Sequence, residues 1–383
     1  MKKLLLFICF FSLQHVVAQV KDPINHQKCL TKVHDSGYYM KNAEAFLANK
    51  QANDPANFTA PYFVRVFIRI VREDNGTLPG CTIETALQNF NEMNDQYVGH
   101  NICFQLMGID FIDDSYLNNF NDKDKMDFTY PNYIRVNNLD VDGAMTIFVH
   151  YNFLNNNGSS GNAYDIPNNF LSVARWAVNS ETVHSIFGHE MGHCLGLFHT
   201  FERYSGNQEH VTRNESNSCY NCLFEGDLCC DTPADYDGSD AYTNSSTCDY
   251  SRNFENSCDL LQYHPLTNNI MSYHPWECIS FNSSALTTNQ RTRTHATIND
   301  NSGPVFNRVS EDNLVLNNVT ASNNKIRVYA AKNNVTTGSG VTVTQSGSSK
   351  AYYAAGASIT FSPGVTLTPG MDGLAQATIS GCN

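Results

Sequence analysis

Apolar residues recur along this chain at two spacings, and the spacing separates strands from helices. From Tyr62 to Val71 they alternate and are rich in Val, Ile and Phe, which predicts a strand. From Thr82 to Tyr97 the interval becomes helical, with Thr82 placed to cap the first turn by accepting a backbone N–H. Ile102 to Ile112 and Met145 to His150 return to strand character. Val183, Phe187, Met191 and Cys194 then follow at intervals of four, four and three, as on a helix with one face in a core. Ahead of all these, the polar stretch Gln19 to Ala60 carries only a modest helical pattern, around Tyr38 to Leu47.

The far end differs in kind. Ser, Thr, Gly and Val dominate, and Tyr329-Ala330-Ala331 recurs as Tyr353-Ala354-Ala355. Thr336, Gly340, Val341, Thr342 and Thr344 recur as Thr360, Gly364, Val365, Thr366 and Thr368, again 24 residues on. A fixed period of short strands and glycine turns predicts stacked β-coils, each burying an apolar row on the next. The turn-rich stretch Asn299 to Pro304 reads as a linker before them.

The polar side of the helix that ends near Cys194 carries the chemistry. Residues four apart on a helix lie about 40° from each other around its axis, so His189 and His193 can aim both imidazoles at one metal ion. Glu190 falls beside them, where a carboxylate can act as a general base. Gly196 can take the left-handed conformation that ends a helix, and the chain then returns His199 as a third ligand, leaving a fourth position open. His150 and His184 stand alone and are read as ordinary structural histidines.

The run His189 to His199 fits H-E-x-x-H-x-x-G-x-x-H and so resembles the zinc signature of the metzincin metalloproteases. Asn269-Ile270-Met271-Ser272-Tyr273 resembles their methionine turn, with Met271 as the floor of the site. Gly226-Asp227-Leu228-Cys229-Cys230-Asp231-Thr232-Pro233 resembles the G-D-x-x-x-D-T-P loop of the pappalysin family. The resemblance implies an α+β catalytic domain, a twisted mixed sheet with a zinc helix, and hydrolysis of peptide bonds in protein or peptide substrates. It implies Zn2+ on His189, His193 and His199, Glu190 as catalytic base, and Tyr273 as a catalytic helper that donates to the developing oxyanion. Plain packing is the competing reading of Tyr273. The resemblance further implies that Asn168 to Val173 is the edge strand or its neighbour, with Gly161-Asn162-Ala163-Tyr164 on the cleft rim, where an extended substrate could pair. Thr287 to Ile298 becomes the closing helix of that domain, and a Cys258–Cys278 disulfide brackets Met271. A structural Ca2+ belongs near Asp227, Asp231 and Asp235, against the alternative of capping and turn chemistry. Cys29 becomes a candidate latency switch that places a thiolate on the zinc, against the alternative of a disulfide.

Composition narrows this further. Met1-Lys2-Lys3, the apolar run Leu4 to Phe11 and Val16-Val17-Ala18 read as a secretory signal peptide cleaved after Ala18, too short to span a bilayer. No later stretch reads as transmembrane. The net charge of −13, two units more negative once Lys2 and Lys3 leave, argues against a nucleic-acid partner. Of 13 cysteines, Cys9 leaves with the leader, and the even remainder in an oxidising compartment predicts disulfides. Cys219, Cys222, Cys229, Cys230, Cys248, Cys258 and Cys278 crowd a loop-rich segment with little core of its own. Cys194, on the buried helix face, is either a free thiol or bonded to a loop cysteine.

The expected organisation is a signal peptide (1–18), a pro-segment or N-terminal extension (19–60), a zinc metalloprotease domain (61–300) and a small all-β, solenoid-like C-terminal domain (301–383) for display, anchoring or targeting outside the cell. Two other readings compete: an adhesion protein with a structural zinc domain, and a zinc amidase or deacetylase. Glu190 argues against the first, since a purely structural zinc does not need it.

Overall fold

A computed structural model describes residues 28–31, 61–154, 159–179, 186–203, 207–279 and 285–317 and, with short gaps, 319–379. The proposed signal peptide and the Tyr38–Leu47 pattern lie outside the described residues. So do Val183 and His184. Thirteen strands are described: β1 (Lys28–Cys29), β2 (Tyr62–Arg72), β3 (Ile102–Asp113), β4 (Met145–His150), β5 (Ser159–Asn162), β6 (Phe170–Ala174), β7 (Glu311–Leu316), β8 (Val319–Ala321), β9 (Ile326–Thr337), β10 (Val343–Gln345), β11 (Lys350–Ala355), β12 (Ser358–Thr360) and β13 (Leu374–Ile379). The α-helices are α1 (Ile83–Val98), α2 (Ser115–Asn118), α3 (Thr129–Val136), α4 (Arg175–Val178), α5 (Ile186–Cys194) and α6 (Thr288–Asn299).

The first six strands form one mixed sheet in the order β1-β5-β6-β4-β2-β3. Every pairing is parallel except β5 with β6. Strand alternation divides its side chains. Val64, Val66, Ile68 and Ile70 of β2 and Met145, Ile147 and Val149 of β4 face a core shared with Ala86, Phe90, Met93 and Tyr97 of α1 and Phe187, Met191 and Cys194 of α5. Thr82 caps α1 as its position predicts, its side chain accepting from the Thr85 N–H at 3.1 Å. Phe187, Met191 and Cys194 are buried as their spacing predicts.

The opposite face of the sheet carries two separate clusters. Phe148 and Phe170 pack with Phe120, Tyr130 and Ile134, on or beside α2 and α3, two helices the sequence pattern did not predict. Phe67, Met107, Val141 and Ala144 pack with Val328, Ala330, Tyr352 and Ala354 of the C-terminal strands. A bulge at Met107 lets that residue reach this second cluster: Leu106 pairs with Val66, but Gly108 with Phe67. Gly108 is needed at this approach, since a Cβ there would lie 2.6 Å from the Tyr352 ring.

From 311 onward every described α-helical or β-strand element is a strand. Ile326 pairs with Lys350 and Lys350 with Leu374, Asn334 with Ser358, and Val319 with Val343. Each step spans the 24-residue repeat in parallel register. Tyr329 stacks on Tyr353 at 5.3 Å, so the repeated tyrosines lie over one another. This β-coil is not held off on a linker, as the Asn299–Pro304 stretch suggested. The Ser310 N–H donates to the Phe63 carbonyl at 2.8 Å, Lys350 Nζ lies 3.0 Å from Asp110, and Arg327 pairs with Asp142. An apolar patch on the second face of the sheet is what draws the coil in. Among the described residues no helix is long and apolar enough to cross a membrane.

Candidate metal centre

Helix α5 carries His189, Glu190 and His193, all fully buried. It ends at Gly196, whose φ of +90° is the left-handed turn the sequence predicts, and the Leu197 N–H donates back to the Gly192 carbonyl at 2.9 Å. The reversal brings His199 to the other two histidines: ring centroids lie 5.0 Å apart for His189 and His193, 4.5 Å for His193 and His199, and 5.4 Å for His189 and His199.

Each ring is held by its Nδ1. For His189 the partner is the Ile270 carbonyl at 2.6 Å, for His193 the Leu197 carbonyl at 2.8 Å, and for His199 the Glu202 carboxylate at 3.1 Å. An Nδ1–H donated outward leaves Nε2 with its lone pair facing the common centre, the state a metal requires. His189 Nε2 is buried without a hydrogen-bond partner, and the Nε2 atoms of His193 and His199 lie 3.1 Å apart. Burial disfavours the charged form of two of them, pulling His189 down to about 3 and His193 well below the usual histidine range. The donor set fits zinc: Cys29, His189, His193 and His199 each offer one ligand atom, all within 4.8 Å of one another.

The methionine turn lies where the motif implies. The Asn269 side chain accepts from the Met271 N–H at 2.9 Å, the Met271 carbonyl accepts from the Thr200 N–H at 3.2 Å, and Met271 is fully buried beside α5. Ile270 from this turn supplies the carbonyl that orients His189. Tyr97 of α1 steadies the start of α5, its hydroxyl donating to the Gly188 carbonyl at 2.8 Å.

Glu190 points toward the rim formed by β5. A Cβ on Gly161 would sit 2.6 Å from Glu190 Oε1, so the carboxylate approaches the strand backbone closely. Burial pushes the Glu190 carboxyl up to about 8, against the lowering effect of donors from Cys29, Thr31 and Ala163.

Strand β1 occupies the edge of β5. It pairs in parallel, Cys29 opposite Gly161, and the Leu30 N–H donates to the Gly161 carbonyl at 3.1 Å. Cys29 is free of disulfides, and its thiol lies 3.4 Å from Glu190 Oε2. Thr31 Oγ1 lies 3.1 Å from the same oxygen. The Tyr273 hydroxyl donates to the Cys29 carbonyl at 2.8 Å, with its ring 5.0 Å from that of His199. Burial and the neighbouring Cys29 and Glu190 keep that hydroxyl protonated. β6 is the neighbour of the edge strand, β5 with Gly161 and Asn162 is the rim, and β1 adds to that rim as an extended peptide would.

One expectation fails. The implied Cys258–Cys278 disulfide is absent: Cys219 bonds Cys258, Cys248 bonds Cys278, and Cys222 bonds Cys230. Backbone pairing of Thr243 with Tyr250 and of Glu255 with Gln262 folds this segment so that Cys248 lies beside Cys278, with Cα atoms 5.4 Å apart, while Cys258 reaches Cys219. Cys194 is a free thiol. Of the proposed calcium ligands, Asp231 caps α6, accepting from Thr287 Oγ1 and the Asn289 N–H at 2.9 Å each. Asp227 accepts from the Cys229 N–H, Thr232 and Gln290, and Asp235 from Thr200 and the Tyr236 N–H.

Sequence reasoning missed Glu202, three residues after His199, and Thr31, two after Cys29; both short offsets were open to reading. It also missed Glu209, fully buried beside Gly226, with Oε2 unpartnered and Arg213 2.8 Å from Oε1. No local pattern marks that residue. His150 is structural, bonded to the Leu117 carbonyl and Ser172.

No protein-family model matches the chain. It is 26% identical over 194 residues, 47% of its length and 68% of the other protein, to an extracellular metalloprotease of Colletotrichum graminicola. In fold it is similar to a promirolysin variant of Tannerella forsythia, with a TM-score of 0.48 and 12% identity, covering 73% of this chain and 96% of that one. The metzincin resemblance carried by the motifs thus stands beside a relative that is itself a metalloprotease.

Proposed function

We propose that this chain is a secreted, zinc-dependent endopeptidase, made as a latent precursor. The observation that carries the reading is the convergence of three imidazole Nε2 atoms, each ring fixed through Nδ1, with Glu190 beside them. His189, His193 and His199 would hold the zinc, which when bound supplies Lewis acidity for a scissile carbonyl and lowers the pKa of water. Glu190 takes the proton of the attacking water and returns it to the leaving amine. Tyr273, already donating to a peptide carbonyl at the site, would hold the carbonyl oxygen on which charge develops. Casein digestion abolished by a zinc chelator and restored by zinc would support this. In Glu190→Gln, activity should fall by about three orders of magnitude while bound zinc is retained. Undiminished digestion by that variant would remove the proposed base.

Latency rests on Cys29. Its sulfur groups with the three histidines, and its strand occupies the substrate edge, so residues 19–60 act as a pro-segment. Burial and Glu190 push the free thiol well up, and a cation among the imidazoles is what would stabilise its thiolate. Residues 61–300 form the catalytic unit in this reading and 301–383 the β-coil, whose outer strands are available for attachment outside the cell. A structural calcium ion would sit near Asp227, Asp231 and Asp235, where the buried Glu209 adds a carboxylate oxygen with no hydrogen-bond partner among the described residues. Metal analysis of dialysed protein separates zinc alone from zinc with calcium.

A further inference from the structure

Strand β1 does more than bring a sulfur to the histidines. Along a strand successive side chains point to opposite sides. Cys29 faces the metal centre, and Leu30, only 8% exposed, belongs to the apolar cluster of Phe153, Leu154, Tyr164 and Phe170 on the far side. Trp176 packs against the same cluster and ties it to the edge strand, its Nε1–H donating to the Ser159 carbonyl at 3.0 Å. All of these wall residues lie between 153 and 176, so the seat remains when the N-terminal segment leaves. Its polar atoms are committed elsewhere: the Tyr164 hydroxyl donates to Ser172 Oγ at 2.8 Å, and the Asn162 side chain accepts from the Tyr164 N–H at 2.7 Å. The seat offers mainly apolar surface, with the Arg135 guanidinium 5.3 Å over the Phe170 ring and donating to Asn168 Oδ1.

We propose that the seat of Leu30 is a substrate subsite: an extended peptide added to β5 places there the side chain next to the residue that faces the metal centre, and the subsite selects Leu, Ile, Met or Phe. This rests on the endopeptidase reading and gives it a substrate class. An acidic or basic side chain at that position would give up its hydration for a mainly apolar wall.

Two measurements test it. In the zinc-loaded full-length chain, alkylation of Cys29 reports whether the strand is seated. Leu30→Asp should speed alkylation at least tenfold, with Leu30→Met within about threefold of the parent, tenfold being the modest end of what burying one leucine provides. Alkylation of Leu30→Asp at the parent rate would overturn the seat. In the Glu190→Gln chain, after limited trypsin treatment releases the N-terminal segment, calorimetry measures binding of hexapeptides in which one Leu or one Asp is moved through an Ala/Ser background. One register should bind at least tenfold tighter with Leu than with Asp, and equal binding at every register would overturn the subsite. Binding preference without casein digestion by the parent chain would count against the endopeptidase reading and leave the subsite standing.

Discussion

The two ends of the chain pack against the same sheet in opposite ways. At one edge β1 contributes a two-residue strand, one seated leucine and polar contacts to Glu190 and Tyr273. Against the second face the β-coil contributes an apolar cluster built around Phe67 and Tyr352, whose rings meet edge-to-face at 4.9 Å, with ion pairs at its margin. A contact made mainly of hydrogen bonds can be exchanged for another peptide at little net cost. A contact that buries large side chains cannot. In the precursor reading proposed above, the first end is built to leave and the second to stay.

The sharpest way to break this contrast is to remove each end. Deleting 311–383 uncovers Phe67, Met107, Val141 and Ala144 and should cost on the order of 5 kcal/mol or more, read as a fall in the urea midpoint or loss of soluble protein. Removing residues 19–60 should shift that midpoint far less; comparable shifts would erase the distinction. Next in size, Cys29→Ser should raise casein digestion by the unprocessed chain roughly a hundredfold, the cost of replacing a thiolate ligand by a weakly coordinating hydroxyl. Unchanged latency in that variant would rule the switch out. Tyr273→Phe sharpens the view of the site beneath the strand: turnover should fall roughly tenfold with zinc content unchanged, as for one lost oxyanion donor of modest strength. At the small end, Lys350→Ala removes one partner of Asp110, which keeps Arg69 at 3.2 Å, so the loss of stability should stay below about 1 kcal/mol.

What the sequence made legible was local. His189, Glu190, His193, Gly196 and His199 lie within eleven residues, so helix geometry and one left-handed turn suffice to assemble them. The 24-residue period of the tail likewise predicts its parallel register, because stacked coils repeat their own neighbours. What stayed hidden depends on residues distant along the chain. Cys29 meets Glu190 across 161 positions, and Lys350 meets Asp110 across 240. The Cys248–Cys278 bond follows from how a loop folds, which cysteine spacing does not encode. Asp231 carries the loop motif as well as any neighbour, yet its carboxylate is spent on the first turn of α6.

The extra residue at Met107 sets a parity for everything after it. Before it, Ile102 and Phe104 point to the helices; after it, Ile109 and Phe111 do, while Asp110 turns to Arg69 and Lys350. Excising Met107 would leave the partners on both sides in step, Leu106 on Val66 and Gly108 on Phe67, and would cost the cluster behind the sheet its Met107 side chain.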